Sequence, residues 1–179
     1  PRELAAIKPS FRDPRNPREA GRWWWPGQQD NDGVEHVPTA FHGAPALDAE
    51  GTMMTLAYAP GVVNLDVRDA ANPKIVGKIL FSPLTQVGPP SLHTVMRLPN
   101  DYLFFATEPE KPGCENETLA QAGIINNPDP ANPLLVARFG RPSPPPKAAY
   151  QTFCELKGRF GLHNVNAETH LPITEKPLK

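Results

Sequence analysis

The pattern of hydrophobic and polar positions along this chain predicts short β-strands. Apolar residues fall in runs of about four to eight positions bounded by turn-forming residues, which is typical of strands in an all-β protein. Two of these runs begin with glycine, at residues 61–67 and 123–125. No run approaches the roughly 18–20 apolar residues of a membrane-spanning helix, so we expect no membrane partner.

Two hairpins are predicted by turn clusters between neighbouring runs. Turn-forming residues that separate two β-patterned segments are a hairpin signal. The first hairpin joins residues 43–47 to 52–59 through Asp48-Ala49-Glu50-Gly51, and the second joins 92–98 to 102–107 through Pro99-Asn100-Asp101. Each hairpin lies in its own part of the chain, which indicates a repeated arrangement.

A five-residue motif, Asp-x-x-Asn-Pro, occurs three times. It spans residues 13–17, 69–73 and 129–133, so successive copies are 56 and 60 residues apart. A short β-patterned run follows each copy. The Asp side chain is expected to cap a turn, and the Pro to fix φ where the next strand begins. The motif therefore predicts the same strand-turn-strand unit three times.

Four short strands in each period of 55–60 residues are the signature of a β-propeller blade. A β-sandwich would also have short strands, but it would not repeat one turn motif at this spacing. We expect an all-β propeller of four-stranded antiparallel blades, of which this chain covers roughly three. The predicted parts are an outer hairpin at about 5–30, blades at about 40–82 and 90–140, and the start of a next blade at about 158–171.

Three blades do not close a ring, because propellers have about four to eight. The chain is therefore expected to be an internal piece of a longer propeller, with the remaining blades missing from it. A complete three-repeat β domain is the alternative, and it would leave sheet edges exposed.

Composition narrows the class of protein further. The chain has 24 prolines among 179 residues, which argues against a helical bundle because Pro interrupts helices. A hydrophobic fraction of 39 % and a net charge of −1 favour collapse into a folded domain. Because the chain has no excess of positive charge, nucleic acid is not an expected partner.

Residues 61–77, Gly-Val-Val-Asn-Leu-Asp-Val-Arg-Asp-Ala-Ala-Asn-Pro-Lys-Ile-Val-Gly, resemble the LVIVD repeat. Segments 21–28, 42–43, 92–95 and 153–164 are similar to parts of larger LVIVD-repeat proteins, so the resemblance covers residues 12–165. It implies a β-propeller of several hundred residues, with this chain as its middle-to-late part. The resemblance implies a fold and no reaction, and it weakens after Asn164.

Three histidines stand in equivalent places, each after an apolar residue at the start of a unit's first strand. They are His42, His93 and His163. First strands line the axis of a propeller, so the three imidazoles are expected to converge there and to hold a divalent transition metal. Zn, Fe, Mn and Cu are not distinguished by this pattern. The alternative is that each histidine is hydrogen-bonded to neighbouring backbone and water.

Glu108 and Glu155 are the acidic candidates for catalysis. Glu108 is expected to end the second strand of its blade, and Glu155 lies eight residues before His163. Either carboxylate could orient a metal-bound imidazole or act as general base. The alternative for each is an exposed carboxylate with no role in chemistry.

The chain has two cysteines, Cys114 and Cys154, which permit one disulfide without requiring it. A cytoplasmic location is expected if both are thiols, and a periplasmic or secreted one if they are joined.

Two classes of function follow. The first is a metal-binding propeller, with or without enzymatic activity, that takes a small molecule in its central channel. The second is a non-enzymatic scaffold that binds a protein or small ligand through its loops. Common nucleotide-binding, hydrolase and zincin motifs do not occur in the sequence.

Overall fold

Two four-stranded antiparallel sheets dominate the computed structural model of this chain, which confirms the all-β class. The residues that the structure describes are 4–6, 15–16, 18–25, 43–58, 61–81, 91–108, 122–140, 143–158 and 165. Within these ranges there is no α-helix, and no helix is long and apolar enough to cross a membrane.

The strands form three units in chain order. The first unit is a two-stranded sheet of β1 (Leu4–Ala6) and β2 (Gly21–Trp23). The second unit contains β3 (Ala46–Leu47), β4 (Met53–Tyr58), β5 (Gly61–Asp66) and β6 (Lys74–Leu80). The third unit contains β7 (Ser91–Arg97), β8 (Tyr102–Glu108), β9 (Ala122–Asn126) and β10 (Leu134–Arg138). In both larger sheets each strand pairs with its neighbours in sequence, and a 3₁₀ turn, Phe153–Leu156, follows β10.

Both predicted hairpins are confirmed. In the first, the Asp48 N–H donates to the Met53 carbonyl at 3.0 Å, and Gly51 has a φ of 68° that favours glycine. In the second, Asn100 and Asp101 have φ values of 60° and 58°, which Asn and Asp tolerate better than most residues. The predicted next blade at 158–171 lies outside the described residues apart from Gly158 and Val165.

The Asp-x-x-Asn-Pro motif forms the same turn in the second and third units, as the sequence predicted. The Asp69 carboxylate accepts from the Ala71 N–H at 3.1 Å, and the Asp129 carboxylate accepts from the Ala131 N–H at 3.0 Å. The Asn132 side chain also donates to Asp129, at 2.6 Å. The first copy, at 13–17, lies outside the described residues except for positions 15 and 16.

A β-bulge after each of these turns extends the equivalence. The pairing of β5 with β6 skips Val76, and the pairing of β9 with β10 skips Val136. These valines are 60 positions apart, the spacing of the two turns themselves. The two sheets therefore repeat in turn, bulge and strand order.

The three units are stacked through their sheet faces. Side chains of a strand point alternately to its two sides, so β4 and β5 supply apolar residues to both neighbours and are almost wholly buried. One core cluster joins the first and second units and includes Trp23, Leu56, Tyr58, Val63 and Leu65. A second joins the second and third units and includes Ala57, Val62, Leu92, Phe105 and Ile125.

A third cluster lies on the far face of the third unit. Phe104, Ala106 and Ala122 are buried there, and Val165 packs against them. We refer to these four residues as the outer cluster. Apolar packing thus continues beyond the third sheet to Val165, a residue that follows it in the chain.

A glycine in the last strand of one unit leaves a gap, here called the glycine notch, that receives the turn of the following unit. A β-carbon built on Gly77 in β6 would collide with the carbonyl oxygen of Pro130, and one on Gly21 in β2 would collide with that of Ala70. Each glycine lies eight residues after the first residue of its own Asp-x-x-Asn-Pro motif. The turn of one unit is therefore docked on the last strand of the preceding unit, backbone against backbone.

Gly77→Ala is expected to lower the free energy of unfolding by about 1–3 kcal/mol, because its methyl group overpacks the notch. Urea unfolding measures the change. Gly140→Ala is the matched control, because a β-carbon built there meets no atom within 4 Å among the described residues other than its chain neighbours, and a change within about 0.5 kcal/mol is expected. Equal stability of the two variants would contradict the docking role of Gly77.

Candidate functional site

A cleft of about 490 Å³ opens beside β3 and β7, the first strands of the second and third units. Its walls are mostly apolar, with three polar side chains from β7. The lining residues are Ala44–Leu47, His93–Arg97 and Val165. This volume lies in the range of about 300–1,000 Å³ that small-molecule sites occupy.

His93 lies in this cleft, at an irregular point of β7. The pairing of β7 with β8 shifts between Leu92 and Thr94, so His93 is the residue at the bulge. Bulges are frequent beside functional sites because they redirect a side chain. The Nδ1 atom of His93 lies 3.0 Å from the Thr94 hydroxyl, which orients the ring.

The other two predicted ligands lie outside the described residues, but the residues next to them do not. Gly43 follows His42 directly, and it packs so closely on the His93 carbonyl oxygen that no β-carbon would fit. Val165, two residues after His163, lines the same cleft as His93. The structure therefore brings residues that neighbour all three predicted histidines to one place.

The two predicted acids have different surroundings. Glu108 ends β8, as predicted, but it is only 8 % exposed, so its interpretation as an exposed carboxylate is wrong. It pairs in register with Ser91, two residues before His93. Glu155 is exposed in the 3₁₀ turn, where its carboxylate accepts from the backbone N–H groups of Gln151 and Thr152, both at 3.1 Å.

No metal cluster is complete within the described ranges. Among those residues, no group of three or more His, Cys, Asp or Glu side chains is arranged to hold a metal ion. Only His93 of the predicted trio belongs to these ranges. The metal site thus stays a prediction.

Beside the cleft, a buried polar network joins β7 to the second unit. Arg97, which lines the cleft, donates from Nη2 to the Thr55 hydroxyl at 3.0 Å and to the Met53 carbonyl at 3.3 Å. Thr55 in turn donates to the Asn64 side-chain oxygen at 2.8 Å. Burial lowers the pKa of Arg97, and the nearby Asp48 carboxylate acts in the opposite direction.

The same network reaches the docked turn of the third unit. Asn64 Nδ2 donates to the side-chain oxygen of Asn127 at 2.8 Å and to the Pro130 carbonyl at 2.9 Å. Thr55, Asn64 and Asn127 are at most 3 % exposed. Sequence reasoning missed this network, although the signal was a single polar residue inside each of two apolar runs, Thr55 and Asn64.

Asp48 shapes the electrostatics at the end of β3. Its carboxylate accepts from the Thr52 N–H at 2.6 Å and from the Thr52 hydroxyl at 2.7 Å. Burial acts to raise the pKa of Asp48, but hydrogen bonds from Met53 and Thr52 and the charge of Arg97 hold it below its usual value. Asp48 therefore fixes the turn that follows the cleft-lining strand. Its negative charge also favours the charged form of the nearby Arg97.

Cys154 is disulfide-bonded. The chain has one other cysteine, Cys114, so the bond closes a span of 41 residues. Cys114 itself lies outside the described residues. Cys154 belongs to the 3₁₀ turn after the third unit, and the bond ties that turn back to the segment between β8 and β9.

Asp48→Asn is expected to destabilise the protein by about 1–2 kcal/mol at neutral pH, because it removes charge-assisted hydrogen bonds at a partly exposed turn. The folded-state pKa of Asp48 is lowered, so its stabilisation is present above the unfolded pKa of about 4 and is lost as pH falls through the folded value. Urea titrations between about pH 7 and pH 2 should show the two proteins converging in acid. A constant difference over this range would contradict this assignment.

Reduction of the disulfide, or Cys154→Ser, is expected to lower the free energy of unfolding by roughly 3–4 kcal/mol, because the bond restricts the conformational freedom of the unfolded chain. Thiol titration of the denatured, unreduced protein should detect no free thiol. Reductant should have no further effect on the stability of Cys154→Ser, which serves as the control. Two titrating thiols in the unreduced protein would disprove the bond.

Comparison with known proteins identifies no relative of this chain. No protein-family model, curated protein or solved structure matches this chain. The arguments for its fold and site therefore rest on the repeated turns, the stacked sheets and the cleft described above. The resemblance to the LVIVD repeat stays a prediction.

Proposed function

We propose that this chain is part of a β-propeller of the LVIVD-repeat type that binds a divalent transition metal in the cleft beside β3 and β7. The propeller is supported by two four-stranded sheets that have the same strand order, turn and bulge and that are stacked face to face. In such a stack the first strand of each sheet lines the axis, and the cleft lies beside two first strands.

One observation carries the metal site. Gly43 packs on the His93 backbone, and Val165 borders the cleft that His93 lines. His42 and His163 are one and two residues away from these positions in sequence. Residues from three distant parts of the chain, each at or within two positions of a predicted ligand, therefore lie close together, which supports a site shared by the three imidazoles.

The chemistry of the donor set fits a transition metal. Three neutral imidazoles bind Zn, Cu, Fe or Ni readily and leave a coordination position open for water or substrate. The Thr94 hydroxyl, 3.0 Å from Nδ1 of His93, supplies the kind of outer hydrogen bond that orients a metal-binding ring. A bound metal would supply Lewis acidity at the cleft.

Glu108 is the better placed of the two acidic candidates. It is buried at the end of β8 that adjoins Ser91 and the His93 bulge. We assign to it the role of orienting an imidazole or accepting a proton from a bound water. The Glu155 carboxylate is engaged with the backbone of its own turn, and a catalytic role for it would require that turn to open.

The disulfide at Cys154 favours the periplasmic or secreted location over the cytoplasmic one, because such bonds persist in oxidising compartments.

A small-molecule-binding protein without catalysis is the second candidate. The size of the cleft and its mostly apolar walls favour it, since such sites bind ligands through apolar contact and a few polar groups. In this case His93 and Arg97 would orient the ligand with no metal between them.

Metal content after dialysis tests the first proposal. Purified chain is exposed separately to Zn, Mn, Fe(II) and Cu(II), dialysed and analysed by mass spectrometry. About one equivalent of at least one metal should remain bound. The affinity for that metal should fall by ~10-fold in Thr94→Ala, and it should fall further in each of the variants His42→Ala, His93→Ala and His163→Ala.

His170→Ala is the control, since it removes a histidine that has no equivalent in another unit. Circular dichroism verifies that each variant is folded. Retention of less than about a tenth of an equivalent of every metal would rule out a stable metal site. Unchanged affinity in the three histidine variants would also overturn the proposal.

A further inference from the structure

Arg97 brings a positive charge into the wall of the cleft, and its hydrogen bonds go to uncharged groups. The residue is half-buried on β7 and lines the cleft. Both of its hydrogen bonds start at Nη2, and they end on the Thr55 hydroxyl at 3.0 Å and the Met53 carbonyl at 3.3 Å. Its Nε is buried and has no hydrogen-bond partner among the described residues. The second unit therefore uses only one of the three guanidinium nitrogens.

The acids near Arg97 attract it without pairing with it. The charges of Asp48, Asp101 and Glu50 favour its charged form, but within the described ranges none of them forms an ion pair with it. The Asp48 carboxylate instead accepts from Thr52. Glu50 and Asp101 are exposed, where water and salt screen their charges. A half-buried cation without a close counter-ion costs free energy, which an anion bound in the cleft would lower.

The guanidinium, and not only the backbone of Arg97, lies at the cleft wall. Thr55, which accepts its hydrogen bond, pairs in register with Ala46 on β3. Side chains of residues paired in this way lie side by side on one face of a sheet. Because Ala46 lines the cleft, the guanidinium is next to that wall. Nη2 is engaged with the second unit and Nε is buried, so a ligand in the cleft would reach the guanidinium at Nη1.

The rest of the cleft is suited to an apolar body. Ala46 on β3, Val95 on β7 and Val165 contribute aliphatic side chains to its walls. One arginine balances one negative charge, which matches a carboxylate better than a phosphate group of charge about −2. An arginine N–H also donates strong, charge-assisted hydrogen bonds to a carboxylate. The combination favours an organic acid with a single carboxylate.

We propose that the cleft binds a small monocarboxylate, with its carboxylate on Arg97 and its apolar body against β3 and Val165. The proposal rests on the cleft being the ligand site described under the proposed function, and it names the class of ligand for that site. It does not require a metal.

The direction of the bound acid follows from the strand. His93 and Arg97 are four residues apart on β7, which corresponds to about 13 Å along a strand. A ligand held by its carboxylate at Arg97 therefore extends its apolar body toward His93 and the Thr94 hydroxyl beside it. The end of the ligand that is farthest from the carboxylate is the part that comes nearest to the predicted metal ligand.

Titration of the full chain with four probes tests the ligand class, after treatment with a chelator and with binding followed by NMR. Hexanoate should bind at least ~10-fold more tightly than hexanamide, which has the same shape and no charge. Acetate should bind at least ~10-fold more weakly than hexanoate, because it lacks the apolar chain. Equal affinity for hexanoate and hexanamide, tighter binding of inorganic phosphate than of hexanoate, or no binding of any probe would overturn the proposal.

Replacement of the arginine tests its role. Arg97→Met keeps a long apolar side chain and removes the charge, so the preference for hexanoate over hexanamide should disappear. Arg138→Met is the matched control, because it removes an exposed arginine from another strand of the same sheet and should keep the preference. The ratio of the two affinities is the readout, since a loosened cleft would weaken both probes together. Circular dichroism verifies folding, and the wild-type comparison of the four probes needs no variant.

A second titration with the metal that dialysis retains separates this proposal from the metal site. A chain that retains no metal but prefers hexanoate would disprove the metal site and support the ligand class. A chain that retains one equivalent of metal but binds hexanoate no better than hexanamide, with and without that metal, would do the reverse. A preference that persists in Arg97→Met, or that is lost in Arg138→Met, would contradict the assignment to Arg97.

Discussion

The docking of one unit's turn on the last strand of the unit before it is the contact on which the rest of the structure depends. At Gly77 the approach is between two backbones, which leaves no freedom for a side chain. Asn64 then fixes the turn by a hydrogen bond to Pro130. Apolar faces alone would let two sheets slide, because dispersion and burial are not directional. A close backbone contact with a directed hydrogen bond allows one register.

The same contact explains why polar groups lie inside the stack. Burying Thr55, Asn64 and Asn127 costs free energy unless each finds a partner, and they find partners largely in one another. Arg97 extends the chain of bonds from the third unit back to β4. We interpret this network as a source of specificity: an apolar replacement would preserve burial and lose the alignment of the two sheets.

Much of the fold could be predicted from the sequence because its signals are local. The Asp69 and Asp129 turns follow from Asp and Pro at fixed offsets, and the hairpin at Gly51 follows from a residue that tolerates positive φ. The glycine notch could not be predicted, since Gly77 meets Pro130 only after two sheets stack. For the same reason the burial of Glu108 at the end of β8 could not be predicted, since it arises only when the far face of the third sheet is packed.

The candidate site depends on the stacking of the sheets even more strongly than the individual strands and turns do. The position of His93 within the repeat identifies it from the sequence, whereas Arg97 and Val165 carry no local signal and line the cleft only because β3 and β7 are brought together. Arg97 belongs both to the cleft and to the network that aligns the sheets. A change in the docking of the turn would therefore be transmitted through Asn64 and Thr55 to a residue of the cleft wall. The hydrogen bonds that help to hold the register between the second and third units therefore also hold Arg97 in the wall of the cleft.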